Sequence, residues 1–243
     1  MKEVIRRKFL HLILFLVATG NQIILVSAQD ALPDSLVRER IQVIQEMLDN
    51  GKKGANVWWY GWLAGYSAAT VAQGSIVILS DNLATRQDMA LGAITTLLGA
   101  AGQLIAPMTP GYAPDRLKAI PEGNPELNRR KLEEAEKLLE VCALREKEGR
   151  SWKMHVLDGT VNLGCGMIVW LGFKRTIPAG LENFTLNTVI CEAQIFSQPT
   201  RAIRDYAAYC RKFKADQNLS CTPPRITWYF MMVPGGIGVK MLF

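Results

Sequence analysis

Histidine is almost missing from this chain: of 243 residues, only His11 and His155 carry an imidazole. Protein zinc sites gather several His or Cys ligands at short spacing, and no C-x-x-C or H-E-x-x-H occurs here. Neither a metal nor a cofactor is therefore expected. Phosphate-cradling glycine loops, the dinucleotide G-x-G-x-x-G and the G-x-S-x-G elbow are missing as well, which removes the common marks of nucleotide chemistry and serine hydrolysis. No catalytic residues are expected, and the role is expected to be non-enzymatic. Concentrated basic character is also lacking. The formal charge is +6, but the first 28 residues hold four basic residues and one acid, so it falls to +3 without them. Nucleic acid is not an expected partner.

Charge of either sign is absent from Val57 to Leu79, and that absence organises the chain. The stretch opens on Trp58, Trp59, Tyr60 and Trp62 and is long enough to cross a bilayer, for which about 20 apolar residues suffice. Gly61 and Gly65 stand four apart, and Ala64, Ala68 and Ala72 make a second small-residue ridge, so another helix can approach closely. Trp58, Trp59 and Trp62 are the expected membrane or interface anchors, because their rings are large, apolar and polar at one edge.

Ahead of this stretch, Lys2, Arg6, Arg7 and Lys8 precede an apolar run from Phe9 to Val17, a weaker continuation to Val26, and the pattern Val26-Ser27-Ala28. Residues 1–28 read as a signal peptide, with an uncleaved anchor helix as the alternative, and the chain is expected to be exported. Residues 29–106 read as a first helical-hairpin repeat. Its amphipathic helix starts at Leu32-Pro33-Asp34-Ser35, carries Val37, Ile41, Ile44 and Leu48 on one face, and stops at Asn50-Gly51. The uncharged stretch follows, and after a polar turn Met89 to Ala106 closes the hairpin. Prolines 107, 110, 114, 121 and 125 mark residues 107–127 as a linker.

Residues 128–215 read as a second helical-hairpin repeat, about 93 residues on. A charged helix from Asn128 to Glu148 carries Leu132, Ala135, Leu139 and Cys142 on one face. Trp152, a Gly-rich helix from Val156 to Phe173, a turn and a helix from Leu181 to Gln198 come next. A basic amphipathic helix then starts after Pro199. Asp158, Glu182 and Glu192 make this copy a poor pair of independent membrane spans. Pro234-Gly235-Gly236, between two runs of strand formers, gives a β-hairpin tail over 216–243. The expected fold is mainly α: two repeated helical hairpins with amphipathic flanking helices, plus a short C-terminal β-hairpin.

Glu192 is the residue most suggestive of a site, because a carboxylate in a packed helical hairpin must be paired, hydrogen-bonded or proton-binding. With Asp158 and Gln194 it makes a candidate ligand site between hairpins. The competing reading is a structural partner for Arg201 or Arg204. Export permits disulfides, so Cys165 with Cys191 and Cys210 with Cys221 are candidate pairs, with Cys142 left over and buried free thiols as the alternative. His155 reads as a solvated or satisfied side chain.

At the C-terminus, Gly238, Met241 and Phe243 resemble the sorting signal of outer-membrane barrel proteins, although the chain lacks the many strands of a barrel. The phrase Gln194-Ile195-Phe196-Ser197-Gln198-Pro199-Thr200-Arg201 closes the second hairpin. With the leader, the Trp- and Gly-rich helices and the terminal Phe, it resembles a loosely defined group of exported helical-hairpin envelope proteins of Gram-negative bacteria. That resemblance implies an envelope location, periplasmic or at the outer membrane with the inner membrane as alternative, and no activity.

The expected function is a membrane-associated structural or assembly component. Its expected partners are membrane lipid or an envelope protein, with a homo-oligomer left open. The alternative is a carrier or binder of lipid or of a small hydrophobic ligand in a groove between the hairpins. One conflict stands inside this reading: export would leave Lys52, Lys53 and ten Lys or Arg between 107 and 153 on the outer side, against the positive-inside rule. The second hairpin in particular is expected not to cross.

Overall fold

The structure is a computed structural model that describes residues 32–214 and the backbone of 227–233 and 236–242. The signal-peptide reading of residues 1–28 lies outside the described residues. Seven α-helices follow in order: α1 (Asp34–Leu79), α2 (Leu83–Ile105), α3 (Ala113–Lys118), α4 (Pro125–Gly149), α5 (Trp152–Met167), α6 (Ile177–Ser197) and α7 (Arg201–Phe213). A 3-10 turn at Thr109–Gly111 precedes α3, and α5 runs into a π turn at Ile168–Gly172.

The fold is mainly α, with 86% of the interpretable residues helical and no strand between 34 and 214. The expected C-terminal β-hairpin is corrected accordingly: it is not part of this fold. Backbone pairing of Thr227–Val233 with Gly236–Leu242 is confined to a two-stranded antiparallel ribbon, and such a ribbon is marginal by itself in water.

The expected helix stop at Asn50-Gly51 does not occur. Gly123 is the only described glycine with a positive φ, so Gly51 and Gly54 keep a helical backbone and α1 continues. Tertiary contacts outweigh the weak helix propensity of the two glycines. Lys52 pairs with Asp115 at 2.6 Å, and Ala55 is buried with Trp58 and Met108. The second half is broken at the equivalent place, between α4 and α5, so the internal repeat is not supported. The expected linker is folded too. Pro110 and Pro114 sit in the first turns of their helices, where a missing N–H costs nothing, and Met108, Ala113 and Leu117 are buried.

The first half of α1 packs with α3, α4 and α7 into a head with an ordinary aqueous core. Val37, Ile41, Ile44 and Leu48 meet Leu132, Ala135, Leu139 and Cys142, all buried. Fully burying a Leu or Ile side chain stabilises by roughly 1.5–3 kcal/mol. On α7 the buried face is Ala202, Tyr206, Tyr209 and Cys210. The buried Arg40 guanidinium donates through Nε to the Tyr209 hydroxyl at 2.7 Å and pairs through Nη2 with Glu136, which Lys214 also reaches at 3.1 Å.

The second half of α1 forms an antiparallel hairpin with α2, as expected, but through other glycines. Tyr66 lies against Gly99 and Gln73 against Gly92, whereas a Cβ at Gly61 or Gly65 would meet nothing within 4 Å. Thr70 and Thr96 hydroxyls bond across the pair at 2.8 Å. Helices α5 and α6 cross where Gly166 meets Gly180, so closely that a Cβ on either would stand 2.6–2.7 Å from the other's carbonyl oxygen. Leu91, Cys165 and Val169 join the two hairpins, and Arg175 reaches Asp88 at 3.3 Å at the far end.

Three helices are long and apolar enough to cross a membrane: α1, α2 and Trp152–Gly172. The last is a correction, because the second hairpin was expected to be too polar for this.

Candidate functional site

A helix leaves its last four carbonyls without partners inside the helix. Neither α2 nor α6 carries a basic residue in its last turn, so both need caps from elsewhere. At α2, Trp59 Nε1 donates to Gln103 O at 2.8 Å and Arg145 Nη2 to Ala106 O at 3.0 Å. At α6, Trp58 Nε1 donates to Gln194 O at 3.2 Å. Arg150 Nη1 donates to the carbonyls of Ile195, Phe196 and Gln198 at 3.2, 2.7 and 3.1 Å. Trp62 Nε1 adds a bond to Ser197 Oγ at 3.1 Å.

These contacts make a collar between head and bundle, and they explain the three tryptophans. The arginines come from α4, five residues apart, one for each hairpin. Helix α4 is thus a crossbar laid over the two C-terminal ends, with cations where the helix dipoles are negative. The phrase that closes the second hairpin is fastened to the same bar. Gln198 Nε2 donates to Glu146 O at 3.0 Å, and the fit at Gly149 admits no Cβ, which would stand 2.2 Å from Gln198 Oε1.

A polar cluster lies just inside the collar. His155 Nδ1 sits 2.8 Å from Glu192 Oε2, with Asp158 within electrostatic reach of both. Tyr66 donates to Gln194 Oε1 at 2.6 Å. Glu192 and Asp158 therefore come together, Gln194 is engaged by α1 instead, and of the two readings of His155, solvated or satisfied, the second describes it. Neither Arg201 nor Arg204 serves Glu192: Arg201 pairs with Asp205 at 3.2 Å and Arg204 lies near Glu146. Asn162 is 4% exposed with its side chain at the Cys191 thiol, and the buried Thr188 Oγ1 has no partner.

Cys165 and Cys191 remain free thiols, so the expected pairing across the second hairpin is not formed. Cys165 is buried instead against Leu91 and Val169. Cys210 is buried in the head, and Cys221 lies outside the described residues. Of the C-terminal signal, Gly238 and Met241 stand on the second strand opposite Met231 and Trp228, and Phe243 lies outside the described residues. Among the described residues no group of three or more His, Cys, Asp or Glu is arranged to hold a metal.

Sequence reasoning missed Arg145, Arg150 and Glu146. A signal existed for the arginines: two helices without basic last turns require external caps, and Arg150 stands two residues before the second Trp-led apolar helix. No known protein family, characterised protein or solved structure matches this chain.

Proposed function

We propose that the chain is a non-enzymatic membrane scaffold, in which the second half of α1 together with α2, α5 and α6 lies in lipid and the head is presented at one face as an assembly surface. One observation carries this reading. Large apolar side chains point outward on all four bundle helices, Val71, Ile78, Leu98, Leu163 and Leu186 among them, whereas the head buries residues of the same kind. In water such a surface far exceeds what a monomeric soluble protein shows. In lipid it is the ordinary arrangement.

The collar supports the same boundary. Trp58, Trp59 and Trp62 gather at the helix ends, like an interfacial aromatic belt, and the carbonyls beside them are satisfied by protein groups, as scarcity of water requires. Helix α6 has 21 residues, about 31 Å at 1.5 Å per residue, and runs along α5 with Glu192 paired to His155.

The far turns hold Arg86, Lys174 and Arg175, against Lys52, Lys53 and the ten Lys or Arg between 107 and 153 on the head side. The positive-inside rule favours a cytoplasmic head on an inner-membrane bundle over an exported one. The resemblance to helical-hairpin envelope proteins supports the envelope as location. Single reporter cysteines at Asp81 and Ala119, in a cysteine-free background in intact cells, test both points. Labelling at 81 with protection at 119 is expected. The reverse pattern would restore the exported head, and labelling at both positions from outside would end the spanning reading.

Thr188 Oγ1, buried without a partner on α6, favours a second reading, in which a lipid or small hydrophobic molecule with a polar end seats beside Asp158 and Glu192. Lipid co-purifying with the wild type and lost from Glu192→Gln would support it.

A further inference from the structure

Helix α7 begins without a cap of its own, because Thr200 at its N-cap makes no side-chain bond to the first turn. The missing acceptor comes from the crossbar. Glu146 is 1% exposed, and its carboxylate accepts the backbone N–H of Ile203 at 3.1 Å and lies against that of Ala202. These are the donors an N-cap oxygen ordinarily serves.

The charged and titratable groups around it leave it without a paired cation. From α4, Cys142 stands one turn before it, buried and held neutral, and Arg150 one turn after it, engaged by three carbonyls. From α7, Arg204 lies nearby, and Asp205 is held by Arg201. No ion pair to Glu146 occurs among the described residues. Gln198, at the junction of α6 and α7, is neutral and bonds the Glu146 backbone carbonyl.

We propose that Glu146 makes the docking of α7 and of the 198–201 junction onto the crossbar responsive to pH, seated while this carboxyl is protonated and loosened when it ionises. An ionised carboxylate suits a helix N-terminus, but here the loss of hydration wins. Burial pushes the Glu146 carboxyl up to about 7, and the Ile203 and Ala202 amides and Arg204 oppose this only in part. A carboxyl raised in the folded state contributes stability that is fully present below its ordinary value of 4.5 and is lost as pH rises through about 7. Asp34 and Asp49 act with the opposite sign, because hydrogen bonds from Asn128 and Lys118 hold them below 3.8, so their contribution changes beneath this window. Asp205, also raised by burial, shares the sign of Glu146 and is present in every variant compared.

This proposal concerns the head and does not depend on the bundle lying in lipid. Its test is amide hydrogen exchange of the full chain in detergent micelles, followed in peptides covering 198–213 at pH 5 and pH 8 and corrected for intrinsic exchange. In the wild type the opening constant of this segment is expected to rise on the order of 50-fold between the two, with a midpoint near 7 and no matching step in α2. Glu146→Gln, which keeps an acceptor oxygen but cannot ionise, is expected to remove most of that rise and to be the better protected at pH 8. A wild-type segment without a pH step overturns the proposal, even where the variant fails to fold. An equal step in Glu146→Gln overturns it as well.

Discussion

The two halves of α1 obey opposite rules although they share one unbroken backbone. From Asp34 to Ala55 its apolar residues recur at helical spacing and are buried, Ile44 wholly, while charged residues cover the other side. From Val57 to Leu79 charge disappears, and the large apolar residues are among the most exposed in the chain, with Ile78 at 84%. The difference is what the proposed placement of the bundle in lipid accounts for: with lipid rather than water as the alternative, apolar side chains gain nothing by facing inward, and helices are held by close approach and by polar contacts across them. The bundle accordingly spends its small and polar residues inside, in Gly166 on Gly180, Thr70 on Thr96 and Tyr66 on Gln194.

Three substitution pairs put this contrast at risk, taken from the largest expected effect down. Arg40→Ala strips Glu136 and Tyr209 of their buried cation and is expected to cost about 3–5 kcal/mol. Its counterpart Arg175→Ala, in a pair about one-third exposed at the far end of the bundle, is expected to cost under about 1 kcal/mol. Chemical unfolding in micelles, followed separately for head and bundle, would measure both, and equal losses would contradict the division.

Ile44→Ala is expected to destabilise the head by about 2–5 kcal/mol through the cavity it leaves. Val71→Ala, at 69% exposure, is expected to stay within about 0.5 kcal/mol in micelles. A large loss at Val71 would mean that protein, not lipid, covers that face. Finally, Gly166→Val places a methyl-bearing carbon against the Gly180 backbone and is expected to cost about 1–3 kcal/mol and to spread the second hairpin. Gly61→Val, in open space, is expected to be nearly neutral. Distances between spin labels at Val161 and Leu186 would show the spreading directly, and unchanged distances in Gly166→Val would contradict the crossing.

Much of this architecture is legible one residue at a time. The stripe Val37, Ile41, Ile44, Leu48 and the stripe Leu132, Ala135, Leu139, Cys142 read correctly as buried faces, and the first hairpin is legible in the sequence. What could not be read were choices between local signals and distant partners. Asn50-Gly51 is a sound stop that Lys52–Asp115 and Ala55 on Met108 override. Cys165 and Cys191 lie within electrostatic reach of each other as free thiols, the alternative that cysteine spacing left open beside a bridge. His155 could be read only as solvated or satisfied, because the partner that satisfies it lies 37 residues on.

By itself the sequence determined where charge and apolar surface lie along each helix, and so the division into a charge-rich head and a charge-poor bundle, because hydropathy and helical period are local properties. Tertiary structure alone decided that α4 lies across both hairpin ends, that Arg145 and Arg150 supply the caps which α2 and α6 lack, and that Glu146 closes the first turn of α7. A helix end requires a partner for its free carbonyl or N–H groups, but nothing in its own residues specifies which distant side chain will answer.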